Sequence, residues 1–425
     1  MKSLRRVAPF ILSAALVLSV IPPSASALGL EEAVVRTAAV HPDLRGFVIK
    51  RRSLAIEASQ ADLRPALSAG LELENVAGSG GYSGADDVEA TLTLAGILER
   101  GDKRAARQAL AATRIDALAV EREAKELDVL AEVARRYLDL AEAQARLPMI
   151  ERSLERQREL AKAARRRFQE GASPEVLALS AESAITRRAL ALESARRDVD
   201  LAWRTLALMW ADSAPGEAPI LPARSAELPA LKNLETLVPG LRRSPDLRYF
   251  AEAERVQDAR RRLASAGRQF DLSWQVGVRR FEATDDTALV AGITVPLGMR
   301  SRAALDESLE AENLGLIAST RDATSLALET MLVRVHGEIA SSISQVRALE
   351  GDILPRLSKS AAQAQRAYAA GALSYFESMQ LQNEITEAEW EALSLRFAID
   401  RKLVELQRLT GEPIVAVGRK SRETP

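Results

Sequence analysis

The chain has 425 residues, 47% hydrophobic and 28% charged, with a formal net charge of −1. The near balance of signs excludes a basic footprint for nucleic acid. The absence of cysteine excludes disulfides, thiolate metal sites and S-lipidation.

MKSLRR opens the chain as a basic segment, VAPFILSAALVLSVI follows as an apolar stretch, and Ala25-Ser26-Ala27 offers small residues for cleavage. Residues 1–27 are therefore expected to be a secretory signal peptide; a membrane anchor is the alternative, although the stretch is short for a span. No later stretch has the length and apolarity of a transmembrane helix. The mature chain is thus expected to be exported, and either soluble or inserted by strands.

Helices are expected over 30–40 and from Pro42 to Leu63, with Pro65 as a stop. Period-two alternation then predicts strands over 66–76 and 88–98, joined by the glycine-rich stretch 77–87. Helical periodicity holds from about 102 to 170, with Pro148 as its one strong breaker. A helix of that length measures on the order of 100 Å, and it needs neighbours along its flanks, as in a coiled coil. A return helix covers about 174–210, with Pro174 in its first turn. The Pro-rich stretch 211–230 is a linker at the centre of the chain.

The order then repeats. SPDLRYF, 244–250, echoes HPDLRGF, 41–47, and a helix reaches about 264. Strands are expected over 269–281 and 287–297, the second ending at Pro296. A long helix spans about 302–370 with an interruption at Pro355. A last helix, 373–410, stops at Gly411 and Pro413, and 414–425 is a polar tail. The chain divides accordingly into a first repeat, 28–210, and a second, 231–413. Gly171 and Gly371 stand as equivalent hairpin tips, each three residues after an aromatic, Phe168 or Tyr368, which is expected to pack the ends together.

Four strands cannot close a barrel, and an open edge is not tolerated inside a bilayer. Three copies would supply twelve strands. The pattern therefore suggests a mainly α protein with a small β part: a homotrimer with a shared β-barrel in outer membrane lipid, continued by a hollow periplasmic α-helical coiled-coil barrel. A soluble, elongated coiled-coil protein with its hairpins as small caps is the other reading. Glu72, Glu74 and Glu89 share one face by parity, as a water-filled lumen requires. His41 and His336 are far apart and without metal-binding company, so no metal site is expected. No catalytic or nucleotide fingerprint stands in the right context, so neither an enzyme nor a cofactor is expected.

Three stretches, together with the doubled plan, resemble the TolC-like outer membrane efflux proteins. LERGDKRAARQALA, 98–111, is similar to the Gly-Gly-Lys-Arg exit from the hairpin in the CzcC-like heavy-metal branch, with Asp102 replacing the second glycine. VPLGMRSR, 295–302, is similar to a Pro-Leu-Phe element with a following arginine, with Gly298 at the aromatic position and Ser301 where asparagine is common. DILPRLSKSAAQAQRAYAAG, 352–371, matches the approach to the second tip. The resemblance implies a passive exit duct in the Gram-negative outer membrane, for divalent metal cations or, as the alternative, for drugs or proteins of type I secretion. A periplasmic adaptor and an inner-membrane pump of RND type would be its partners. Acidic residues beyond the second tip would ring the periplasmic entrance: Glu377 matches the first such position, Gln380 occupies the second, and Glu175 is the acidic candidate at the first tip. Arg165, Arg166 and Arg167 are candidates for adaptor contact. Lys103, Arg104 and Trp274 are candidates for the membrane edge.

Overall fold

The computed structural model describes residues 28–76, 78–82, 86–224 and 227–411; the expected signal peptide, 1–27, and polar tail, 414–425, lie outside them. Helix α1 spans Leu30–Val40 and α2 spans Pro42–Ala61. Pro42 sits at the start of α2, where its missing N–H is harmless, and His41 Nδ1 accepts from the Asp43 amide at 3.3 Å. Strands β1, Ser68–Glu74, and β2, Glu89–Leu98, lead into α3, Lys103–Gln169. At 67 residues α3 is about 100 Å long, and it runs through Pro148 without a break. Helix α4, Glu175–Ala207, returns alongside it.

In the second half come α5, Leu234–Arg242, and α6, Pro245–Ala266. Strands β3, Leu272–Phe281, and β4, Asp286–Thr294, follow, then α7, Met299–Ala348. A π-helical segment, Leu349–Ile353, joins α7 to α8, Leu354–Ala369, and α9 covers Tyr375–Thr410. Three expectations need correction. Pro174 is the residue before α4, in extended conformation, rather than in its first turn. The interruption in the second long helix precedes Pro355 as a change of helix type. Helix α5, with Pro239 inside it, was not anticipated; its buried Leu237 and Leu241 face the second-half core.

The strands form one antiparallel sheet in the order β1-β2-β3-β4, the two hairpins joining through β2 and β3. Strands β1, β3 and β4 stop two or three residues short of their sequence pattern at the helix-side ends, β1 also ends two residues early at its hairpin, β2 starts one residue late, and β4 starts one residue early. The interior is a string of clusters along the bundle. One holds Val133, Leu140, Trp203 and Leu206, another Leu241, Leu332, Val335, Ile339 and Ile399. Phe397 and Val404 of α9 bind α3 through Ala131, Ala134 and Leu138. The central linker lies across these helices. Trp203 donates to the Gly216 carbonyl at 2.8 Å, Gln144 donates to the Pro219 carbonyl at 2.8 Å, and Arg224 pairs with Asp400 of α9.

Candidate functional site

The two tips have the same backbone. At the first, the Ala172 amide donates to the Arg167 carbonyl at 2.7 Å and the Gly171 amide to Phe168 at 2.9 Å. At the second, Ala372 donates to Ala367 at 2.8 Å and Gly371 to Tyr368 at 3.1 Å. This double bond is the Schellman helix ending, which places the glycine in the left-handed region; φ is 70° at Gly171 and 81° at Gly371.

The side chains differ. Tyr368 is 2% exposed and Tyr375 is 1% exposed, their ring centroids 6.2 Å apart among Leu160, Ala161, Ala164 and Ala181 of the first hairpin. Burial pushes both phenols up. Phe168 is only half-buried, beneath the Arg165 guanidinium at 5.7 Å, so Tyr368 is the aromatic that packs the ends. Arg167 spans the two hairpins: it donates to the Tyr368 carbonyl at 2.7 Å and lies 5.2 Å from that ring centroid. Arg165 reaches Glu182 at 3.6 Å, and Arg166 is exposed.

Beyond the second glycine, Ser374 and Glu377 form a capping box. The Glu377 amide donates to Ser374 Oγ at 3.2 Å, while the Ser374 amide donates to the Glu377 carboxylate at 2.9 Å. These bonds, led by the one from the Ser374 hydroxyl, hold the Glu377 carboxyl below the usual carboxylate range. Gln380 is exposed and donates to Glu384 at 3.0 Å. Helix α4 has no side-chain cap, and Glu175 is exposed in its first turn. With tip glycine set on tip glycine, Glu175 stands level with Tyr375, and Leu177 stands level with Glu377. The capping box was readable in the Ser-x-x-Glu spacing of 374–377. Arg167 as a cross-hairpin tie had no local signal, because its acceptor is a backbone carbonyl in the other half.

At the other end, the strand-to-helix junctions turn through positive φ at Gly101 and Asp102, and again at Gly298. An aromatic at Gly298 would be strained at φ 80°. Lys103 pairs with Asp271 of β3's approach at 2.7 Å, and Arg104 binds Asp62 through Nε at 2.9 Å. Trp274 is half-buried with its ring over Gly96, where an added Cβ would stand 2.9 Å from the indole.

The register sorts the sheet into two unlike faces. Leu71, Leu92, Val278 and Leu289 stand side by side on one face, as do Leu94 and Val276, and all six are exposed. Glu72, Glu74, Glu89 and Thr91 share the other face with Arg279 and with Ser, Thr, Gln and Gly residues, among which Ile97, Phe281 and Val290 are the large apolar members. There Arg279 binds Glu74 and Glu89, each at 2.8 Å, and Thr91 at 2.9 Å. Strands β1 and β4 each have a free edge among the described residues. No described helix is long and apolar enough to cross a membrane, and the described residues contain no acidic or histidine cluster placed to hold a metal.

Residues 39–212 match the family model for outer membrane efflux proteins. Several solved structures share the fold. A Pseudomonas aeruginosa membrane protein superposes with a TM-score of 0.72 at 17% identity, over 90% of this chain and 92% of that one. CusC, described in terms of transmembrane channel formation, superposes at 0.67 with 17% identity and the same two coverages, 90% and 92%. The open state of the Neisseria gonorrhoeae MtrE outer membrane channel gives 0.62 at 19% identity, over 92% of this chain and 91% of that one. Among curated protein sequences none matches. The likeness to that family model is confined to residues 39–212, whereas the TolC-type fold extends over nine-tenths of the chain.

Proposed function

We propose that this protein is the outer membrane channel of a tripartite efflux system. Three copies pair β1 of one with β4 of the next, and twelve strands close a barrel in the lipid. The helical hairpins continue the duct through the periplasm to the tips. There it meets a periplasmic adaptor and an inner-membrane pump of RND type, which supplies the energy. The observation that carries this is the sheet: one face presents an exposed row of leucine and valine, the other carries nearly all of the sheet's charges, and both edges are free among the described residues. A cap on a soluble coiled coil has no use for an exposed leucine and valine face, whereas a lipid-facing barrel wall requires one.

Glu377, repeated three times at the entrance, favours cations, since a ring of carboxylates concentrates negative potential. That ring, and the resemblance of 98–111 to the metal-efflux branch, support divalent metal cations as the exported class. Membrane fractionation tests the channel itself. The full-length protein stays in the outer membrane after carbonate washing, and removal of 66–98 releases a helical product. A wild-type chain washed free would sink the reading. In planar bilayers Glu377→Ala shifts the reversal potential toward lower cation preference; an unchanged value removes the ring. Deletion in cells followed by metal and drug challenge decides the substrate class, with metal sensitivity alone as the expected result.

A further inference from the structure

The apolar face of the sheet ends at both heights in an arginine. At the loop end, Arg280 shares a row with Leu73, Ala90 and Thr287. At the helix end, the last paired row on that face holds Leu98 and Leu272. The same register, carried one step further, sets Arg100 against Phe270. The Arg100 guanidinium does lie over the Phe270 ring, 5.0 Å from its centroid. From Arg280 to Phe270 is ten residues, about 33 Å along an extended strand. At a barrel tilt of about 40° this spans about 25 Å of height, the thickness of the lipid-facing band of an outer membrane barrel. Trp274, in a row with Gly96 and Ile293, stands two rows inside the lower arginine, where an interfacial indole belongs.

The two arginines are balanced differently. Arg280 pairs with the Asp285 carboxylate and donates to the Asp285 carbonyl at 3.0 Å, inside the β3–β4 turn. Arg100 is exposed, and its guanidinium has no carboxylate or other hydrogen-bond acceptor among the described residues. The acids beside it are already engaged. Asp271 accepts from the Arg100 amide at 3.2 Å and pairs with Lys103 at 2.7 Å. Glu99 pairs with Arg107 at 2.5 Å, and Asp62 accepts from Arg104 Nε at 2.9 Å. Lys103 and Arg104, expected from the sequence at the membrane edge, are thus bound within the chain, while Arg100 is not. Arg64, Arg300 and Arg302 add exposed cations at this end, also without a partner among the described residues. The last two follow Leu297, which is 91% exposed.

We propose that Arg100, set on Phe270, binds the phosphate of an anionic phospholipid in the periplasm-facing leaflet, and that Arg64, Arg300 and Arg302 strengthen the attraction. The ring supports the guanidinium face, and the N–H edge is left to meet a phosphate with two parallel bonds. A phosphatidylcholine headgroup already balances its phosphate with its own ammonium. A phosphatidylglycerol headgroup does not, so an unpaired cation selects it. The proposal rests on the channel reading above, since it takes the leucine and valine face as the one that meets lipid.

The test places the full-length protein in nanodiscs of equal parts phosphatidylcholine and phosphatidylglycerol. Detergent release and native mass spectrometry then identify the lipids that stay bound. Wild type retains phosphatidylglycerol in excess, and raising the salt diminishes that excess. Arg100→Gln cuts it about fivefold, the effect of one cation at the membrane surface. Arg280→Gln leaves it unchanged, because that arginine already has Asp285. Equal retention of the two lipids by wild type, which needs no variant, overturns the proposal; so do equal losses from the two substitutions. A protein that enters the discs yet holds both lipids equally overturns this proposal alone. A protein that never enters them overturns the channel reading as well.

Discussion

The first and second hairpin tips share one turn and solve everything else differently. Both end a helix with a left-handed glycine and the same pair of backbone bonds. Yet Tyr368 is enclosed where Phe168 is half-open, and Ser374 caps its helix where Pro174 does not. The backbone requirement of the turn is thus met identically, while the side chains divide the labour. The second tip is the packed and capped member, and the first supplies the arm, Arg167, that reaches across to it.

The largest expected effect tests the packing asymmetry. Tyr368→Ala removes a fully enclosed ring and costs about 3–5 kcal/mol. Phe168→Ala costs less than half of that, since its ring is already half in water. Denaturant unfolding of the two variants side by side measures the contrast, and equal losses would erase it. Tyr368→Phe sharpens the result: the hydroxyl is buried with no hydrogen-bond partner among the described residues. Its removal leaves stability within about 0.5 kcal/mol of wild type, because nothing is unpaired by the change.

The cross-hairpin tie ranks next. Arg167→Ala removes a charge-assisted bond to the Tyr368 carbonyl and a ring contact, with an expected loss of about 1–2 kcal/mol. Arg166→Ala, a neighbour exposed to water, changes stability by less than about 0.5 kcal/mol. Matching losses would mean that Arg167 acts only as surface charge. Ser374→Ala then costs about 1 kcal/mol through loss of the cap. At the first tip, Pro174→Ser is expected to add a few tenths of a kcal/mol, since it supplies an oxygen to an uncapped helix start.

These ranks show what could be read from residue order and what could not. Gly171 and Gly371 announced their turns because each interrupts a long helical period, and the four strands were visible as alternation. The doubled plan, the long helices and the linker followed from the same local signals. The capping box is legible in the Ser-x-x-Glu spacing of 374–377, but the same carboxylate also fits an entrance charge, and residue order alone does not separate the two roles. Features that depend on distant segments left no mark: the reach of Arg167 to the other half, the grip of 216–224 on α3 and α9, and the joining of β2 to β3. Helix α5 was hidden by Pro239, which sits inside a short helix stabilised by burial of Leu237 and Leu241. Tertiary burial there outweighs local propensity.

The smallest expected effect lies in the acid response of the second tip, where the first tip serves as the control. In the folded chain the Glu377 carboxyl titrates below its unfolded value, because the Ser374 hydroxyl and amide bond its charged form. Its stabilising contribution is therefore complete at neutral pH, above the unfolded value. It is lost as pH falls through the folded one. Glu377→Gln removes this pH-dependent part and flattens the acid limb of the stability curve; Ser374→Ala flattens it too, by removing the hydroxyl that does most of the lowering. At the first tip the position level with Glu377 is Leu177, which has no proton to exchange. Leu177→Glu alone leaves the acid limb as it was, since Pro174 offers neither hydroxyl nor amide. Leu177→Glu with Pro174→Ser steepens it. A steeper limb from Leu177→Glu alone would show that the dipole of the helix start, and not the cap, sets the carboxylate's affinity for its proton.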